Sequence, residues 1–170
     1  MKKILFIITL LLLPLVVEAQ VVPKAKAMLT FNFIRYIGWS EEVRQGDFVI
    51  GVIKDKELAS WLTKLSTGKK FGYQDIVIKE FKSVDELEDC QVVYVGAGGN
   101  YNKNSDAVMA KVGKNTLIIT EVEGATNKGA MINFVVRDDI LKFELHKKNA
   151  SIAGIQFSSK LEMMNGAINL

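Results

Sequence analysis

The chain has 170 residues, 49% of them hydrophobic and 24% charged, with one histidine and one cysteine. That is enough for the core of one domain and too little for two. Its 22 basic and 19 acidic residues leave a formal charge of +3, too balanced for a nucleic-acid-binding surface, and one cysteine cannot close an internal disulfide.

Lys2 and Lys3 precede an apolar run from Ile4 to Val17, and Val17-Glu18-Ala19 offers a small-residue cleavage site before Gln20. This pattern predicts a secretory signal peptide over residues 1–19, followed by a single exported domain over 20–170. The run is shorter than the roughly 20 residues that span a bilayer, and Pro14 interrupts it, which disfavours an uncleaved anchor. No cysteine stands at the cleavage point, which disfavours a lipoprotein. Removing Lys2, Lys3 and Glu18 takes the charge from +3 to +2.

A first helix is predicted from Lys24 to Ile37. At 100 degrees per residue, Ala27, Phe31, Ile34 and Ile37 mark one side, while Leu29, Phe33 and Tyr36 mark an adjoining one. Only Lys24, Met28, Asn32 and Arg35 remain as a polar strip, so the apolar arc is too wide for one sheet face. A second cover is needed, either the chain's own C-terminal helix or another protein, including a second copy.

Phe48 to Ile53 reads as a buried strand and Asp55 to Leu65 as its crossover helix, spaced through Leu58, Trp61, Leu62 and Leu65 and stopped at Gly68. Ile76 to Phe81 gives the next strand. Ser83 and Glu86 have capping-box spacing for a short helix, and Val92 to Val95 forms another buried strand. Asn104 to Val112 and Leu117 to Thr120 add a helix and a strand. Met131 to Val136 and Leu141 to His146 alternate apolar and polar residues around a turn at Asp138 and Asp139, which is a half-buried antiparallel hairpin. Ser159 and Glu162 then open a terminal helix with a Phe157, Leu161, Met164, Ile168 stripe. The predicted class is α/β: a mostly parallel central sheet flanked by helices, with a C-terminal antiparallel hairpin and a terminal helix.

Several segments, in this order, resemble one family: Phe31-Asn32-Phe33-Ile34-Arg35-Tyr36-Ile37-Gly38-Trp39, Phe48-Val49-Ile50-Gly51-Val52, Cys90-Gln91-Val92-Val93-Tyr94-Val95, and Gly124 to Leu161 with its Met-Ile-Asn-Phe and Phe-Glu-Leu runs. The chain is similar to the YfiR family of bacterial periplasmic proteins. The resemblance implies a periplasmic α/β domain that docks on the extracytoplasmic part of a membrane sensor or diguanylate cyclase, holds it inactive, and carries no enzymatic activity. Well-studied relatives use disulfides, whereas Cys90 has no partner here, so their redox behaviour does not transfer.

The candidate partner-binding residues are Phe31, Arg35 and Tyr36 on the first helix, with Met163 and Met164 near the C-terminus. The alternative is a periplasmic receptor for a small ligand. Its candidate residues are Lys54, Asp55, Gly96, Gly98, Gly99, Asn100, Thr120 and Glu121, all expected where strands end, the usual ligand position in open α/β sheets. Gly96 to Asn100 lacks the spacing of a dinucleotide or phosphate-loop motif and reads first as a flexible strand-to-helix loop, with a ligand loop as the lesser reading.

No catalytic constellation is expected. Ser159 and Lys160 are neighbours that point to different faces, so capping outranks nucleophilic chemistry. His146 falls in the outward register as a solvated strand end, and Cys90 reads as a buried small hydrophobe. Glu121 and Glu123, without His or Cys nearby, read as solvated acids, so neither metal nor cofactor is expected.

Overall fold

The computed structural model describes residues 21–170, and the expected signal peptide lies outside them. Residues 21–35 are helical (α1) and lead into strand β1 (Ile37–Gly38). Next come β2 (Phe48–Ile53), α2 (Lys56–Ser66), the short β3 (Lys70–Phe71) and β4 (Gln74–Phe81). The middle of the chain supplies β5 (Val92–Val95), α3 (Tyr101–Lys111) and β6 (Leu117–Thr120). The hairpin β7 (Ile132–Arg137) and β8 (Ile140–Leu145) follows, then α4 (Lys147–Ile152), β9 (Gln156–Phe157), α5 (Ser159–Glu162) and β10 (Ala167–Asn169).

Eight strands form one sheet in the order β10-β8-β7-β6-β5-β2-β4-β3, and β1 pairs separately with β9. Strands β4, β2, β5, β6 and β7 are mutually parallel. Every residue of β5 and β6 is buried, as expected where both faces of a parallel sheet are covered. The chain leaves β2 for β4 on one side, then returns to β5 on the other. Crossovers on opposite sides of β2 open a switch point at its carboxyl end, the place where such sheets bind ligands.

The hairpin forms in the expected register, with Ile132 opposite Leu145, Phe134 opposite Phe143 and Val136 opposite Leu141. Asp138 and Asp139 both take left-handed backbone angles, φ 54° and 58°, which makes the two-residue turn whose twist matches the flanking strands. Phe33 of α1 packs on it, its ring centroid 5.6 Å from Phe134 and 4.7 Å from Phe143.

The terminal helix is one turn long, and the stripe expected to continue to Ile168 does not. Gly166 at φ 89° turns the chain into β10, where Ile168 pairs beside Glu144. The open edge of β8 drives this, because Phe143 donates its N–H to Gly166 and Leu170 donates to Leu145. Leu161 is buried, and Phe157 and Met164 pack against the same core as α1, so the terminal segment contributes to its own-chain cover. Lys24, Met28 and Arg35 stay exposed, as the helical spacing predicts.

Caps differ from expectation by one residue. Ser158, not Ser159, accepts from the Leu161 N–H. Ser83 caps nothing, while Glu86 accepts from the Lys82 N–H. His146 is not a bare strand end but the N-cap of α4, a helix not expected from sequence, its Nδ1 accepting from Asn149 N–H. Among the described residues no helix is long and apolar enough to cross a membrane.

An L-residue in the left-handed region costs about 1–2 kcal/mol, and glycine does not share that cost. Asp139→Gly should therefore raise stability by up to about 1 kcal/mol after its larger unfolded-state entropy is counted. Urea unfolding reads this directly, and a lowered midpoint would mean that the aspartate side chain itself holds the turn.

Candidate functional site

The carboxyl ends of β2, β5 and β6 meet at Glu121. Its side chain is 12% exposed, so the carboxylate needs partners on the protein. Oε1 accepts from the Ala97 N–H at 2.6 Å, and Oε2 accepts from the Tyr94 hydroxyl at 2.9 Å and from Lys26 Nζ of α1. The solvated reading of Glu121 is thus corrected: its carboxylate is mostly buried and is held by protein donors. Glu123 is the solvated one, paired with Arg137. Burial, with Glu121 beside it, pushes the Tyr94 phenol well above its ordinary range and keeps it a neutral donor.

Asp55 adjoins this cluster as the N-cap of α2, its Oδ1 accepting from Leu58 N–H at 2.9 Å. Burial raises its pKa above 3.8, the Leu58 bond opposes, and the Glu121 charge adds to the rise while Lys26 offsets it. Lys26 is absent from the sequence expectations. Its signal was available, because a lysine beside Ala27 and Thr30 on the inner side of a helix calls for a buried anion.

The other expected ligand residues separate. Thr120 is fully buried and gives its hydroxyl to Asn133 Oδ1 at 2.7 Å, so it is closed to a ligand. Asn133 also accepts from Val122 N–H and donates to Glu144, a buried polar network beneath the hairpin. Gly96 is required for packing: a Cβ there would stand 2.7 Å from Asp55 Cβ. The remaining four, Lys54, Gly98, Gly99 and Asn100, line one cavity of about 200 Å³ together with Lys82, Ser83 and Asn104, which sequence reasoning did not include.

The partner candidates separate likewise. Phe31 and Arg35 line a groove of about 200 Å³ between α1 and α2, floored by Ile34, Phe48, Phe71 and Ile76 and rimmed by Lys69 and Lys70. Met28, 51% exposed, lies at its mouth. Farther along, Lys24 and Lys64 stand over Trp61 at 5.3 and 4.8 Å from the ring centroid. Tyr36, Met163 and Met164 are not among the groove's residues: the Tyr36 carbonyl accepts from Ser158 N–H, Met164 is half-buried, and Met163 is 75% exposed on the turn after α5.

Residues 23–164 match the family described as YfiR/HmsC-like. The chain belongs to that family. A comparison with curated protein sequences gives no match. Among solved structures, this YfiR/HmsC-like fold is similar to a conserved domain protein from Vibrio cholerae O1 biovar El Tor, with TM-score 0.52 and 11% identity. That match covers 86% of this chain and 59% of the Vibrio chain, so the likeness is one of fold over part of the longer protein. The Bacteroides fragilis protein BF3122 aligns at TM-score 0.37 and 8% identity over 73% of this chain and 61% of its own, too distant to argue from.

Cys90 is buried and its thiol is pushed up to about 11, mainly by burial, so at neutral pH it is not a nucleophile. Among the described residues no group of three or more His, Cys, Asp or Glu is placed to hold a metal ion.

The raised pKa of Asp55 has a definite sign. The folded chain binds this proton more tightly than the unfolded chain, so ionisation weakens the fold as pH rises past 3.8. Asp55→Asn keeps the acceptor for Leu58 and removes the charge. Its thermal midpoint should exceed the parent's near neutral pH, with the gap closing below pH 3.8. A gap independent of pH would assign the effect to packing instead.

Proposed function

We propose that this chain is exported to the periplasm and acts there as a regulatory binding protein, docking on the extracytoplasmic part of a membrane signalling protein such as a diguanylate cyclase and holding it inactive. The observation that carries the reading is the α1–α2 groove. It joins an apolar floor to a rim of Arg35, Lys69 and Lys70, and it lies within the span that matches the family. A groove of this kind accepts an apolar anchor side chain from a partner, while the surrounding cations set orientation and encounter rate.

Repression then follows from differential affinity. A chain that binds the active and inactive forms of its target equally shifts nothing, however tightly it binds. Moving the target from 1:99 to 99:1 in favour of the inactive form requires about 10⁴-fold preference. Small side-chain changes at an anchor therefore have large effects on signalling. Phe31 and Arg35 serve as anchor and orienting charge, with Tyr36, Met163 and Met164 as outlying contacts.

Two measurements test this. N-terminal sequencing of the protein recovered from the periplasmic fraction should begin at Gln20; recovery of the intact N-terminus at the membrane would replace export by anchoring. Crosslinking in the native host should capture a membrane protein with an extracytoplasmic sensor segment. Phe31→Ala with Arg35→Glu should reduce that capture by at least about thirtyfold and raise cellular cyclic di-GMP, on the scale of lost interface anchors. Unchanged capture and unchanged cyclic di-GMP in a folded double variant would sink the docking map.

A further inference from the structure

The cavity at the carboxyl ends of β2, β4 and β5 is unused by the docking reading. Its walls come from three successive segments: Lys54 after β2, Lys82 and Ser83 after β4, and Gly98 to Asn100 after β5. These ends flank the point where the crossovers from β2 diverge. We infer that this cavity is a binding site for a small anion, a phosphoryl or carboxylate group, held between the Lys54 and Lys82 ammonium groups with the Ser83 hydroxyl as a third donor.

Three observations lead there. Neither Lys54 nor Lys82 forms an ion pair with a described residue, so no carboxylate of the described chain neutralises either ammonium group by direct contact. Ser83 precedes a 3-10 turn, Val84–Glu86, without capping it, so its hydroxyl is not committed to the backbone there. Gly98 keeps the third wall low: a Cβ at that position would sit 3.4 Å from both the Lys54 Cβ and its carbonyl oxygen.

Charge balance at the site limits the ligand. Asp85 is the acid among the lining residues, and Lys111 Nζ donates to its backbone carbonyl, bringing a third cation alongside. Glu86 is turned to the Lys82 N–H. Two lysines against one carboxylate among the lining residues favour a group of charge −1 to −2, and a volume of about 200 Å³ suits a phosphate or a small carboxylic acid with a short body. The neighbouring crevice toward β6 is not part of this site, because Glu121 already fills it with its own cation, Lys26. The inference stands independently of whether the α1–α2 groove docks a protein.

The test is amide chemical-shift titration of the mature chain with inorganic phosphate, with acetate, and with adenosine monophosphate, at constant ionic strength. Saturable shifts should appear at Ser83, Gly98 and Gly99 for at least one probe. Phosphate alone would assign a free-ion site, adenosine monophosphate in preference a phosphoester ligand, and acetate in preference a carboxylate. Lys54→Gln with Lys82→Gln should weaken binding at least about tenfold, and because both side chains are exposed the variant should keep its fold. Lys114→Gln with Lys148→Gln, both exposed and outside the cavity and the groove, should leave binding unchanged. Non-saturating shifts with all three probes, or equal loss in both double variants, would overturn the site by reducing it to net charge.

Discussion

One carboxylate holds the first helix to the sheet. Glu121 follows a fully buried strand and takes three donors at once, from a backbone N–H in the loop after β5, from a phenol in the core and from a lysine on α1. An ion buried this far from water is stable only while every partner is present, so the three elements that supply them are fixed relative to one another. The position of α1 in turn decides where the groove beside α2 opens, and the position of Ala97 decides how the glycine loop leaves β5. Hydrophobic burial supplies the bulk of the stability, but it is not directional. The Glu121 cluster supplies the direction.

The arrangement puts the proposed docking groove and the proposed anion cavity at different places on one sheet. β2 contributes Phe48 from its start to the floor of the groove and leads from its end into Lys54 at the anion cavity. α1 carries both the groove residues Phe31 and Arg35 and the lysine that closes the crevice. A partner gripping α1 and an anion at the strand ends would therefore act on elements that share direct contacts. Asp55 caps the start of α2 beside the Lys26–Glu121 pair, while Leu65 near the other end of α2 lines the groove, so that helix spans the distance between the two.

Local pattern carried much of the fold. Strands β2, β5 and β6 have the bounds read from sequence because short, nearly continuous apolar runs rich in Val and Ile leave few alternatives, and the Asp138-Asp139 hairpin was set by alternation on both sides of a turn. What escaped was decided by long-range pairing. The terminal stripe fits a helix by spacing, yet Ile168 becomes a strand because β8 offers a free edge and Gly166 permits the turn. β3 is two residues long, and nothing local distinguishes Lys70 and Phe71 from a loop until Gln74 and Asp75 return alongside. The candidate site was legible as a region but not as a set of contacts. Strand ends could be counted, so Lys54 and Gly98 were named, and both line the cavity. Which side chains turn inward could not, so Thr120 was included and Lys82 left out.

Strand β10 lies beside β8, although some twenty residues of helix, strand and turn separate them. Its partner hairpin is built from neighbours in sequence and can close as soon as residues 132–145 exist. The far side of β8 has to wait for residues 167–169. Until they arrive, a row of backbone donors and acceptors on a largely apolar strand stands open, the kind of edge on which unfinished chains stick to one another. Residues 167–169 thus act as a seam, and a chain that loses them would fold its core and still display an unsealed sheet.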